Sequence, residues 1–469
     1  MTSLYEKLWH YGQTDVYPMH MPGHKRQLWP DGMERVYRMD ITEIDGFDNL
    51  HQARGVIKEA QDYAADLFGS SETHFMVNGS SGGLLAAIAA LCPPGSRLAA
   101  ARNCHKAVFH AIELLHLDPV YIYPQVSSQY GIPGAIDAQE EERALTENPD
   151  VRALVLTSPS YEGVVSDIPQ ICRRAHALGI PVIVDEAHGA HFIFSDYFPE
   201  SAVRQGADLV VQSSHKTLPA LTQTALLHIN GSLVDRDRVR RMLTVFQTSS
   251  PSYILMGSIE ESLRIMADQP QRIRDYRQRL QLCRQRLADL GCFHLLNRED
   301  FADNAADYDR SKLVVCCPDG PQLYRRLLED YHIQLEMKAP LYILGMTSAA
   351  DSREGFDRFE EALMKLDRQG DWKEKDERQQ KLLLSAFPRL QRALPLGEAF
   401  WADLECLYPD QAQGRICGDY IYLYPPGIPL AVPGEILTEQ ALDMIRAWRQ
   451  SGMEVEGTAP DGKIRVLAE

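Results

Sequence analysis

Between about residues 74 and 230, short β-rich runs alternate with amphipathic segments, and no other feature of the chain constrains its fold as much. The spacing predicts strands at His74–Asn78, Arg97–Arg102, Val120–Tyr123, Arg152–Thr157, Pro181–Asp185, Asp208–Ser213 and Gln223–Ile229. It predicts helices at Gly82–Leu91, Lys106–Leu115 and Pro169–Leu178. Ala153-Leu-Val-Leu156 and Val182-Ile-Val184 are apolar at every position. A strand with one wet face would alternate, so these two runs read as central parallel strands covered by helices on both sides. The expected fold class is α/β, with a mostly parallel open sheet that places ligands at the carboxyl ends of its strands.

Around this core the chain divides by composition. Residues 1–50, rich in His, Asp, Gly and Pro, read as an irregular N-terminal arm, and 51–258 as the large domain. An Arg-rich helical stretch from about 256 to 290 leads out of it. Residues 259–350 then form a connecting helix and a small α/β lobe, with Lys312–Cys317 as a strand. The charged stretch 351–384 reads as a solvated helix or linker, and 385–469 as a smaller C-terminal domain. The 469 residues, 45% hydrophobic and 24% charged, suit an ordinary globular protein of a few domains.

The 48 Lys and Arg against 65 Asp and Glu leave a net charge of −17, which argues against a nucleic-acid partner held by phosphate neutralisation. The longest apolar run, Gly82–Cys92, is far shorter than the ~20 residues that span a bilayer. No apolar stretch of signal-peptide length follows Met1. Nine cysteines without a C-x-x-C pair fit free thiols in a reducing compartment. A cytoplasmic protein without membrane or nucleic-acid partners is expected.

Three strand ends carry chemistry. Ser213-Ser-His-Lys-Thr217 closes one strand with an amine, and Val182-Ile-Val-Asp185-Glu-Ala-His188 closes another with a carboxylate. Asn78-Gly-Ser80-Ser81-Gly-Gly83 opens a helix with small residues, where backbone N–H groups and the helix dipole hold phosphate. A pyridoxal phosphate enzyme needs these three parts: a lysine for the Schiff base, an acid to keep the pyridine nitrogen protonated, and a phosphate cradle. Asp185-Glu-Ala-His188 also spells a helicase box, but no G-x-x-x-x-G-K-[ST] loop precedes it. The pairs His188/His191 and His20/His24 lack the companions of a metal site, so no metal is expected.

The chain resembles the Orn/Lys/Arg decarboxylases, pyridoxal-phosphate enzymes of fold type I. The resemblance rests on seven segments in the same order. They are Met19-His-Met-Pro-Gly-His-Lys25, Asp40–His51, Asn78-Gly-Ser-Ser81, Arg102-Asn-Cys-His-Lys106, Val184-Asp-Glu-Ala-His188, Ser213-Ser-His-Lys216 through Gln223, and Tyr424-Pro-Pro-Gly-Ile-Pro-Leu430. It implies a short member without the N-terminal wing domain of the larger enzymes. By the same resemblance Lys216 holds the cofactor and Asp185 partners the pyridine nitrogen. His105 stacks on one ring face and Ala187 packs on the other, while Ser80, Ser81, Ser213 and His215 bind the phosphate. Thr248 matches a residue that reaches the phosphate of the neighbouring subunit, which implies a homodimer or higher homo-oligomer. His188 stands where larger members carry Trp, and Pro219 replaces the small residue usual after the lysine.

The implied reaction is decarboxylation of arginine, lysine or ornithine, feeding polyamine metabolism. Loss of CO₂ leaves a carbanion at Cα that the pyridinium delocalises, and a proton must then be delivered. His215, His188 and Lys216 are the candidate catalytic residues, and the sequence does not choose the donor. An aminotransferase or lyase on the same fold, or an inert cofactor-binding homologue, are the alternatives. Arg415 reads as an ordinary surface residue. Glu43, Asp45 and Asp48 read as a solvated acidic turn as readily as a cation-recognising group, and stay outside the site.

Overall fold

The computed structural model describes residues 2–14, 22, 33–370, 372, 375–459 and 461–469. The Met19–Lys25 segment, with His20 and His24, lies outside the described residues apart from Pro22. The chain forms two compact units, each built from two stretches: Met1–Leu91 with Ile168–Arg274, and Cys92–Asp167 with Asp275–Glu469.

The strands that matter for function are, in chain order, β1 (Glu72–Met76), β2 (Arg97–Ala101), β3 (Asp118–Ile122), β4 (Val151–Thr157), β5 (Val164–Val165), β6 (Val182–Asp185), β7 (Leu209–Gln212) and β8 (Ala225–Ile229). In the first unit they run in the order β1-β8-β7-β6, with β6 and β7 parallel and both pairs involving β8 antiparallel. In the second unit β4-β2-β3 are parallel throughout. Every residue of β6, β7 and β8 is buried, as their apolar runs require.

The helices α1 (Leu4–Gly12), α2 (Glu34–Met39), α3 (Val56–Phe68), α4 (Gly79–Leu91) and α5 (Lys106–Leu114) precede β1 or lie between strands along the chain, α3 packing on β1 and α4 on β7 and β8. Helix α4 is apolar nearly all round and accordingly buried on most sides. Gly83 lets it lie directly on β7, since a Cβ there would stand 2.9 Å from Val211 Cγ1. The first fifty residues are not irregular throughout. Ser3 and Glu6 form a reciprocal capping box that starts α1, and Leu4 and Leu8 on its inner face are fully buried.

In the second unit Lys312–Cys316 pairs antiparallel with Tyr342–Met346 and with His294–Leu295. Helix Arg353–Gln369, expected to be solvated, buries Phe356, Phe359, Leu363 and Leu366, and Glu360 is buried with them. At the C-terminal end Ile421, Leu430, Leu437, Leu442, Ile445, Trp448, Ile464 and Val466 share one apolar core. No helix among the described residues is long and apolar enough to cross a membrane.

A buried ion pair fastens this C-terminal core to the end of β2. Arg102, 4% exposed, donates to the carbonyls of Pro429 (2.6 Å) and Leu430 (3.3 Å) and to Glu435 (3.1 Å). Glu435 also accepts the Val432 N–H at 3.0 Å, and burial pushes its carboxyl up despite the Arg102 charge. Removing one partner of such a pair strands the other charge in a dry site. Glu435→Ala is therefore expected to cost about 3–5 kcal/mol, read from urea unfolding. A loss below about 1 kcal/mol would show that water reaches Arg102.

Candidate active site

Strands β6 and β7 end side by side, with Asp185 paired to Val211 in register. Beyond β7 the chain turns through Ser213 into a single helical turn, Ser214–Thr217, which carries Lys216. The turn is tied to the start of β8, because the Ser214 N–H and the His215 Nδ1–H both reach the Thr224 carbonyl, at 3.1 and 2.8 Å. That bond places the Nδ1 proton of His215. Lys216 Nζ lies 3.0 Å from His188 Nε2, within hydrogen-bond reach of it.

Ser213 and Ser80 join the lysine turn to the start of α4 through a 2.8 Å hydroxyl contact. Gly79 begins α4 at φ +71°, a left-handed conformation that glycine adopts without strain, and its N–H donates to the Gln223 carbonyl at 2.9 Å. The first-turn N–H groups of a helix have no intrahelical acceptor, so Ser80 and Ser81 open an anion-binding end. Ser81 is exposed and Ser80 half-buried. Two hydroxyls of the lysine turn, Ser214 Oγ and Thr217 Oγ1, are buried without a hydrogen-bond partner among the described residues.

Asp185 is 3% exposed, and its Oδ1 accepts the Ala187 N–H at 3.2 Å. Burial pushes its carboxyl from the ordinary 3.8 up to about 6, against the pull of the Lys216 charge and the Ala187 bond. The first unit thus brings together Ser80, Asp185, Ala187, His188, Ser213, His215 and Lys216. Thr248 is exposed, and its carbonyl accepts from His51 Nε2 at 2.8 Å. In the second unit His105 caps α5, its Nδ1 accepting the Ala107 N–H at 3.2 Å. A Cβ on Gly427 of the Tyr424–Leu430 segment would lie 3.8 Å from the His105 ring, so this loop is packed against it.

Other residues weighed from the sequence have structural work. Arg415 binds Glu405 and the Leu467 carbonyl. Asp48 accepts the backbone N–H groups of Asn49, Arg54, Gly55 and Ile57 and thereby shapes the entry to α3. His191 sits edge-on between Phe192 and Phe198. Sequence reasoning passed over Glu186, Gln212 and His228, which lie buried behind the site. Their only local signal was that each is a polar residue in or beside an apolar strand.

The raised Asp185 pKa makes a signed prediction for the cofactor-free protein. A carboxyl whose folded pKa exceeds its unfolded one lends stability at low pH and loses it as pH rises through the folded value. Asp185→Asn removes that loss, so its Tm relative to the parent should climb between about pH 4 and pH 6 and level off above. A Tm difference that is flat or falls over this range would contradict the burial of an unpaired charge.

The family model for the Orn/Lys/Arg decarboxylase major domain matches residues 2–315, and that for the Orn/Lys/Arg decarboxylase C-terminal domain matches 397–461. The chain is 34% identical to an arginine decarboxylase of Bacillus subtilis (strain 168), over 100% of this chain and 98% of the relative. It is 32% identical to an arginine decarboxylase of Bacillus anthracis, over 97% of this chain and 94% of the relative. Among solved structures, the Francisella novicida lysine decarboxylase LdcF superposes with a TM-score of 0.86 at 20% identity, covering 100% of this chain and 81% of that one. That likeness carries the fold, and the alanine–glyoxylate aminotransferase of Nostoc sp. shares part of it, with a TM-score of 0.53 at 16% identity over 66% of this chain and 86% of that one. By sequence and by the strand ends that hold Asp185 and Lys216, the chain belongs to the Orn/Lys/Arg decarboxylase family.

Proposed function

We propose that this decarboxylase of basic amino acids works with pyridoxal 5'-phosphate and takes arginine as its substrate. The observation that carries the reading is the meeting of three groups on neighbouring strand ends: a buried acid, an amine, and a hydroxyl pair at a helix start. They fit the cofactor. A carboxylate as buried as Asp185 is costly to ionise alone, and a protonated ring nitrogen offsets that cost. The Ser214 and Thr217 hydroxyls, without a partner among the described residues, offer further polar contacts in the lysine turn. When bound, the cofactor supplies the sink for the electron pair left at Cα as CO₂ departs.

The chain's own residues then have separate tasks. Lys216 holds the cofactor, and Asp185 keeps the proton on its ring nitrogen. Ser80, Ser81, Ser213 and His215 take the phosphate, His105 and Ala187 cover the ring faces, and Thr248 serves the phosphate of a partner copy in a homodimer. His188 exchanges a proton with Lys216 Nζ across their 3.0 Å contact, which favours this pair over His215 as the source of the proton for Cα. Arginine is favoured because both sequence relatives carry it in their names at over 30% identity along almost their whole length. The amine product would enter polyamine metabolism, and nine free cysteines suit the cytoplasm.

Purified protein given arginine, lysine or ornithine should release CO₂ and the corresponding amine, fastest from arginine. A 2-oxo acid product without CO₂ would favour an aminotransferase, and a faster reaction with lysine would overturn the substrate. Lys216→Ala should lose the cofactor's visible absorption band together with turnover. His188→Ala should keep the band while kcat falls by on the order of 10² or more. An unchanged kcat would remove His188 from proton transfer.

A further inference from the structure

Behind the site a chain of hydrogen bonds crosses four strands. The Glu186 carboxylate accepts from Ser201 Oγ (2.6 Å), the Ala202 N–H (2.7 Å) and Gln212 Nε2 (2.5 Å). Gln212 Oε1 in turn accepts from His228 Nε2 (3.0 Å), and His228 Nδ1 from the Thr73 hydroxyl (2.8 Å). Glu186, Ser201, Gln212, His228 and Thr73 are all at most 3% exposed. Burial pushes the Glu186 carboxyl up to about 7 against the pull of its three donors, and in its carboxylate form, with His228 neutral, every donor between Thr73 and Glu186 points toward it, an order in which each bond polarises the next. Burial holds His228 neutral, pushing its pKa down to about 3. Gly189 makes room, because a Cβ there would stand 2.5 Å from Glu186 Cγ.

Successive strand residues send their side chains to opposite faces. Glu186 follows Asp185 and Gln212 precedes Ser213, so the Glu186–Gln212 bond ties the ends of β6 and β7 from the face opposite the site. The backbone ladder weakens there, from 2.9 Å for the Glu186 N–H to the Val211 carbonyl to 3.3 Å for the Ser213 N–H to the Ala187 carbonyl. We propose that Glu186 is a positioning residue for the reaction, fixing the separation of Asp185 and Ser213 and hence of the ring-nitrogen and phosphate holds. The proposal rests on the reading of those two residues given above. A rigid cofactor spans a fixed distance, and a shift of about 1 Å in such a site costs on the order of 10² in rate.

Glu186→Gln keeps the shape but turns an NH₂ toward groups that are donors. In the cofactor-loaded protein kcat should fall about tenfold or more, KM for the amino acid should stay within about threefold, and the visible band should shift. Titration of cofactor into cofactor-free protein should give a Kd raised about tenfold. The exchange Glu186→Gln with Gln212→Glu restores a carboxylate–amide pair across the same strands and should recover most of both losses. Ser201→Ala, which removes one of the three donors to Glu186 together with the weaker bonds that Ser201 Oγ accepts from the Val203 N–H and Gln212, should shift the band and Kd in the same direction by less, and covers the case in which Glu186→Gln fails to fold. Wild-type kcat, Kd and band in the folded variants, with only Tm lowered, would overturn the proposal, as would an exchange no better than Glu186→Gln. Asp185→Asn separates the causes. If it keeps the parent's band and Kd, the reading of Asp185 falls and the proposal with it; if it loses them while Glu186→Gln does not, the proposal alone falls.

Discussion

A carboxylate held away from water beside an amine is the constraint around which the first unit is organised. Asp185 ends a strand with no wet face, and its nearest compensation is one backbone N–H and the field of Lys216. Such a group costs the fold stability unless something cationic meets it, which is why the proposed cofactor, with its protonated ring nitrogen, fits beside it. The surroundings hold the geometry that this requires. The Ser213–Ser80 contact joins the lysine turn to α4, Gly79 and Gln223 fix where α4 starts, and Gly83 lets the helix press on β7.

The second unit solves a related problem with a full charge pair. Arg102 and Glu435 are both buried, and two carbonyls take up the rest of the guanidinium. This pair binds the Tyr424–Leu430 segment to the end of β2, three residues before His105, and Gly427 of that segment abuts the His105 ring. The order Tyr-Pro-Pro-Gly-Ile-Pro thereby acquires a physical reason: it is the surface against which a short loop after β2 is set. Gly427, at φ +80°, provides both the turn and the space.

The parts legible in the sequence were those governed by local pattern. The seven strand runs fall within two residues of the observed strands because their apolar composition leaves only a buried strand as an outcome. The positions of the candidate residues were legible too, since the acid ends a strand and the amine and the small-residue turn sit just past one. Less visible were features that needed a period read through distracting composition. The Ser3–Glu6 capping box was hidden in a segment read as irregular for its His, Asp, Gly and Pro, and the buried face of Arg353–Gln369 by its charges. The network behind the site was not readable at all. Glu186 meets Ser201 and Gln212 at separations of 15 and 26 residues, and His228 meets Thr73 at 155, distances that only the strand order closes.

Borohydride reduction of the cofactor-loaded protein, followed by peptide mass mapping, addresses the central assignment directly, because reduction makes a lysine-bound cofactor permanent. The account requires a cofactor-sized mass increment on the peptide that contains Lys216. An increment on another lysine, such as the buried Lys312 of the second unit, or on none, would contradict it.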